Sequence, residues 1–409
     1  MLERMTTCEP VATSLIKARD CGLSGRTLAH AGPPFDDRAS IPKPVLHALA
    51  GAATIEGWVS SFKQGIAAIV AGDITLVSNH ALGIVSPMAG VVRPSQPLFV
   101  LDDAGGSGRR TYATLAEKGQ RTLRFGSFNE EVVRGLAVLE NEIAPAIAEG
   151  LPSGGLPILP ILAEAIALGD DVHQRNVGGH LVLLRSLPRL SLDARIYLAD
   201  HPQFFLNFAM AAAKLMLDGW RGVAGSSLVT AISRNGVVCG VQLAGTGDRW
   251  FTAPSVVPVG GICAPYTAQD AQPDLGDSAI MEAFGLGGCI AHLAPELTRA
   301  LAVRLPDAIA AGRRQRDFFA YRHDRLSPIA SGDDGVGVGL DARRVLDSGH
   351  DVRIHTGIAH KDGRSGWIGI GVARVPRACF DEAIKALDEA ARGTEEIVEH
   401  VEAFASCQS

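Results

Sequence analysis

Cysteine is sparse and unpaired in this chain. The seven residues, Cys8, Cys21, Cys239, Cys263, Cys289, Cys379 and Cys407, never approach a CxxC spacing, and their number is odd. That argues against a disulfide framework or a zinc ribbon and suits a reducing cytoplasm. Excess positive charge is missing as well. With a net charge of −6 there is no basic footprint for nucleic acid, so a bound anion must be held by local groups. The N-terminal stretch MLERMTTCEPVATSLIKARD has no apolar core of signal-peptide length. The most apolar segment, FFLNFAMAAAKLMLDGW, is broken by Asn207, Lys214 and Asp218 before it reaches spanning length. The expectation is a cytoplasmic protein with neither nucleic-acid nor membrane partners. No GxSxG elbow announces a serine nucleophile, and no GxxxxGK[ST] loop announces ATP.

What is present is an ordinary globular composition, 47% hydrophobic and 20% charged, over 409 residues. A chain of this length is expected to divide into two or three domains. Residues 1–135 read as an N-terminal α/β domain, with ITLVSNHALGIV and PLFVLDD as buried strands. Residues 136–225 read as a helical domain. Residues 226–409 read as a C-terminal α+β domain, in which Asn235–Gly236 marks a hairpin turn and ACFDEAIKALDEAARG a closing helix. The fold class is therefore α/β, a multidomain α+β arrangement of mixed sheets with a helical insert.

Several polar constellations stand out. In LVSNHALGIV a strand runs into Asn79 and His80, at the carboxyl end where open α/β sheets bind ligands; a capped turn is the plainer reading. In GDDVHQRNVGG, read as helix, His173 faces the apolar side, with Asp170 one turn before it and Asn176 at i+3. SRNGVVCGVQLAGTGDRW brings Arg234 and Asn235 to a hairpin tip and places Asp248 and Arg249 after a flexible Gly-x-Gly, where Arg249 suits a bidentate anion clamp. In DAQPDLGDSAIMEAFGLGG, Asp277 or Ser278 reads as a helix cap; Asp270, Asp274 and Glu282 are the alternative ligand set for a divalent ion, though their spacing matches no metal motif. No cofactor is otherwise indicated. Finally, IHTGIAHKDGRSGWIGIG gathers His355, His360, Lys361 and Arg364 among five glycines. It reads as a strand that breaks at Gly357 and ends on His360–Lys361, a proton donor beside a point charge.

The ordered motifs HAGPP (30–34), SPMAG (86–90), LRFG (123–126), GDDVHQRN (169–176), FFLN (204–207), SRNG (233–236), GDRWFTAP (247–254), GDSAIMEAFGLGG (276–288) and TGIAHK (356–361) resemble those of one bacterial family. It is the family of the oxamate carbamoyltransferase subunit of anaerobic allantoin degradation, and the resemblance spans about residues 26–390. It implies a multidomain α/β fold, companion subunits in an oligomer, and carbamoyl exchange between oxalurate and phosphate. It also implies an N-terminal nucleotide-binding-like domain ahead of HAGPP in typical members, which this chain lacks.

Carbamoyl transfer passes through an anionic tetrahedral centre, so it needs cations for the phosphate, donors for the oxyanion and a base for the attacking nitrogen. On this reading Arg249 and Arg234 hold anionic groups of carbamoyl phosphate and of an oxamate-like carboxylate. His173 or His360 moves the proton, while Lys361 and Asn176 orient the carbonyl. Asn235, Asp248, Asn79, His80, Asn207 and Thr356 complete the substrate-binding candidates. The alternatives are a non-catalytic subunit that binds a small carboxylate, and a ureido amidohydrolase with a metal.

Overall fold

The strand β1 (Pro10–Lys17) is followed by β2 (Thr27–His30) and β3 (Thr75–Ser78), which pair in parallel. Two helices, Lys43–Ile55 and Phe62–Ala71, make the crossover between them. Their separation is written locally. Gly57 takes φ 72° after the first helix, Ser61 caps the second by accepting from Gln64 N, and Gly72 ends it at φ 88°. The structure, a computed structural model, describes residues 6–301, 303–326 and 336–406, the last fourteen of these by backbone alone.

A five-stranded mixed sheet is ordered β4 (Ile84–Val85), β6 (Arg110–Ala113), β5 (Pro97–Asp103), β1 and β7 (Leu156–Pro157). Against it lies the helix Phe204–Leu217, buried along its whole length, which also touches β8 (Val229–Asn235). Its alanines let the backbone come close, and its two polar residues find partners: Asn207 Oδ1 accepts from the Thr114 hydroxyl, and Lys214 Nζ lies 3.0 Å from Asp218. β8 turns through Asn235–Gly236 into β9 (Val238–Leu243), and the four-stranded antiparallel sheet is completed by β10 (Phe251–Pro254) and β12 (Leu275–Gly276). A third antiparallel sheet holds β11 (Val259–Ile262), β16 (Trp367–Arg374) and β15 (Arg353–Ala359). One further pair joins β13 (Phe319–His323) to β14 (Val336–Leu340). The helix Arg377–Ser406 packs on β9 and β10.

The fold is mixed helix and sheet. One hydrophobic cluster runs from Ala12 and Phe99 through Phe208 and Met216 to Val241 and Phe380, so the segments 1–135, 136–225 and 226–409 all contribute to it, while a separate cluster gathers around Leu49, Ile69 and Phe125. Among the described residues no helix is long and apolar enough to cross a membrane.

Two local expectations are corrected. Residues 170–176 are a loop, and helix begins only at Val177. The Asp171 side chain explains why: Oδ1 accepts the backbone N–H groups of His173, Gln174 and Arg175 at 3.1, 3.0 and 2.7 Å, a local bonding pattern that competes with helix. The strand at Ile354 does not break at Gly357 but pairs with β16 as far as Ala359.

Candidate active site

Three buried carboxylates tie distant segments together. The first is Asp277. Its oxygens accept from Gly32 N (2.9 Å), Ser86 N (3.0 Å), Asn79 Nδ2 (2.9 Å) and the Ser233 hydroxyl (2.6 Å), while His80 Nε2 lies at 3.4 Å. Burial alone would raise its pKa; the His80 ring and these donors hold it below the usual carboxylate range. Asp277 thus binds four chain segments to one another rather than capping a helix. The approach leaves no space at Gly32, where a Cβ would lie 2.5 Å from the Asn235 Cβ.

The second carboxylate, Asp274, takes Arg234 in two contacts, Nε to Oδ2 at 2.7 Å and Nη2 to Oδ1 at 3.1 Å, and accepts the Thr356 hydroxyl at 2.8 Å. Arg234 donates also to the Gly276 carbonyl, so this guanidinium, 1% exposed, is committed to protein partners.

The third is Glu282, on the short helix Ile280–Phe284. Its Oε1 and Oε2 lie 2.8 and 2.9 Å from His173 Nδ1, and Oε1 also accepts from Gly288 N and His355 N. Beside it, His355 Nδ1 lies 2.6 Å from Asp171 Oδ2. Each ring turns its Nδ1 towards a carboxylate acceptor, which leaves Nε2 on the far side of the ring. Burial pushes the Asp171 pKa up, but the His355 contact outweighs it and holds the group low.

His173 lines a cavity of about 430 Å³, within the usual range for small-molecule sites. Arg124, Ser278, Gln174, Gln203, Phe125 and Trp367 share its wall. Arg124 stacks on Phe125, 5.1 Å from the ring centre. It forms no ion pair among the described residues, and its Nε is buried without an acceptor there. The nearest acid, Glu117, spends both oxygens on the backbone N–H groups of Leu123 and Arg124. A half-buried guanidinium with an unused donor could take up an entering anion. His201, on the same wall, is pushed down to about 3 by burial and then by the Arg124 charge, so it stays neutral. The cavity therefore combines an imidazole backed by a carboxylate, a guanidinium with no ion-pair partner among the described residues, and apolar walls.

Of the sequence candidates, the structure brings His173 to the cavity. Asn176 stands behind it, Nδ2 donating to His173 O and to Gln203 Oε1. Asn79, His80, Arg234 and Thr356 belong to the buried carboxylate networks, and Asn207 to the helix packing. Asn235 closes its own turn, Oδ1 accepting from Val237 N and Val238 N. Asp248 and Arg249 are exposed: Asp248 pairs with Arg221, and Arg249 lies over Phe251. His360 packs on Tyr266 between Asp270 and Asp362, and the exposed Lys361 donates to Gln269 O. None of these four lines the cavity. Asp270, Asp274 and Glu282 sit in separate networks, and among the described residues no group of three ligating side chains could hold a metal ion.

Sequence reasoning gave no role to Arg124, though the LRFG motif contains it, or to Asp171. It noted His355 without its partner. Glycine density around 354–371 was the one signal that pointed near it.

A model of the oxamate carbamoyltransferase subunit AllG family matches residues 74–278. The oxamate carbamoyltransferase subunit AllG of Escherichia coli K12 is 35% identical over 391 residues, 92% of each chain. The uncharacterized protein YahG of the same organism is 29% identical, over 94% of this chain and 84% of its own. A crystal structure of a conserved Enterococcus faecalis V583 protein of unknown function superimposes with a TM-score of 0.90 at 29% identity, covering 94% of this chain and 95% of that one. Because AllG is matched over 92% of its own length, it has no domain-sized segment outside the match.

Proposed function

This chain belongs to the family of the oxamate carbamoyltransferase subunit AllG, and from that premise we propose that its His173 cavity is a carbamoyl-transfer site within a multi-subunit complex. The substrates are a small oxamate-type carboxylate and carbamoyl phosphate, or in reverse an oxalurate-type ureide and phosphate.

The observation that carries this reading is the contact of His173 Nδ1 with both oxygens of Glu282 on a wall shared with the unpaired Arg124. In the forward direction the amide nitrogen attacks the carbamoyl carbon. The new C–N bond forms, the C–O bond to phosphate breaks, and phosphate leaves with the electron pair. His173 Nε2 takes the amide proton, and Glu282 stabilises the resulting imidazolium as a buried counter-charge. Arg124 holds the anionic group; its planar fork matches a carboxylate or a phosphate oxygen pair. Apolar walls at Phe125, Met88 and Trp367 limit water, which would otherwise hydrolyse the carbamoyl group.

The test is the phosphorolysis of oxalurate by the chain co-purified with its companion subunits, comparing wild type with His173→Gln. The variant is expected to lose about 10²–10⁴-fold in kcat, the usual worth of a positioned base, while the complex still assembles. Full activity in an assembled H173Q complex would move the chemistry to a companion subunit and leave this chain a binding role.

A further inference from the structure

Behind His173 stands a second histidine–carboxylate pair for which the proposed reaction has no use. His355 and Asp171 are 1% and 0% exposed, and neither touches the cavity. The pair is nevertheless wired to the first in both directions. Asp171 Oδ2 meets His355 Nδ1, while Asp171 Oδ1 holds the backbone N–H of His173 itself and of the two residues after it. In return the His355 backbone N–H donates to Glu282 Oε1, the oxygen 2.8 Å from His173 Nδ1.

Two features show that this loop is held and does not merely rest there. Val172, between Asp171 and His173, sits at φ 58°, a left-handed conformation that a β-branched residue adopts only when its surroundings enforce it. His355 Nε2 is buried without a hydrogen-bond partner among the described residues, a further cost of keeping the imidazole in place. Gly287 closes the arrangement by donating its N–H to Asp171 O. It has no room for a side chain, since a Cβ there would lie 2.0 Å from Glu282 Oε1.

We infer that His355 is a positioning residue for the proposed base: through Asp171 it fixes the 171–175 loop in the strained form that presents His173 to the cavity. This rests on the reading of His173 given above. What Asp171 requires of residue 355 is one donor at the position of Nδ1. An asparagine can supply it, because its Nδ2 occupies the same place relative to Cβ. A glutamine amide lies one bond further out, nearer the position of Nε2, and cannot.

The two amides make the test. In the co-purified complex, His355→Asn is expected to keep kcat near wild type. His355→Gln is expected to lose about 10–100-fold in kcat, as for other groups that orient a catalytic side chain from behind, with KM for oxalurate little changed. Equal activity of the two variants, or a loss confined to KM, would overturn the assignment. His173→Gln measured alongside keeps the two claims apart. If H173Q is inactive while H355Q matches H355N, the base stands and the positioning role falls. If H173Q is active, the reading of the site itself falls.

Discussion

His173 Nδ1 lies within hydrogen-bonding distance of both carboxylate oxygens of Glu282, although 109 residues separate them, and both side chains are almost wholly buried. A buried carboxylate directly behind an imidazole fixes which ring nitrogen carries the proton and favours the imidazolium once it forms. This pairing is what suits His173 to take up and return a proton.

Glu282→Gln keeps the shape and the acceptor oxygen for Gly288 N and His355 N but removes the charge. The expected result is a fall in kcat of about 10²–10⁴-fold with KM for oxalurate near wild type, measured as phosphate-dependent release of oxamate. An unchanged kcat would show that the counter-charge takes no part in turnover.

Arg124→Met removes a cation that has no ion-pair partner among the described residues. A charge-assisted hydrogen bond is worth about 1.5–3 kcal/mol, so KM for the anionic substrate should rise by about 10–100-fold. Thermal stability should fall as well, because the buried Glu117 carboxylate loses the neighbouring charge that offsets its burial. A falling Tm with unchanged KM would assign Arg124 a structural task instead.

Asp277→Ala leaves the donors of Gly32, Ser86, Asn79 and Ser233 without their common acceptor in a fully buried place. The expected cost is about 3–5 kcal/mol, seen as a lowered denaturant midpoint or loss of soluble protein. A midpoint within error of wild type would mean that the four segments hold together without it.

Much of this arrangement was legible in the sequence, and what was not has a physical reason. The Asn235–Gly236 hairpin and the helix Phe204–Leu217 could be read because turn chemistry and apolar runs are local signals. The loop 170–176 was misread as helix because its shape is set by a side chain bonding three backbone N–H groups, and periodicity carries no trace of that. Arg249 looked like an anion clamp from its glycine and aromatic neighbours, yet those neighbours place it on the surface over Phe251. Arg124 looked ordinary, since what marks it is the absence of an acceptor, which only the assembled fold reveals.

Acid should weaken the fold before the carboxylates protonate. Burial lowers the pKa of His30, His80 and His201, the last to about 3, from an ordinary 6.5. In the unfolded chain these rings take up protons below pH 6.5 and in the folded chain they do not. The stability they contribute is therefore complete above pH 6.5 and drains away as pH falls from there, for His201 as far as about 3, at up to about 1.4 kcal/mol per pH unit for each ring. Asp171 and Asp277, depressed below 3.8, add their own loss only at lower pH. The Tm should thus decline between pH 7 and 5, and His201→Gln should reduce the slope. A flat Tm across that interval would contradict the neutral buried histidines.

The account is tested most directly by a crystal structure of the complex soaked with oxamate and carbamoyl phosphate. It predicts density in the His173 cavity, with an anionic group on the Arg124 guanidinium and the amide nitrogen within hydrogen-bonding reach of His173 Nε2. Ordered ligand at Arg249 or at His360 and Lys361, with the cavity left unfilled, would contradict it.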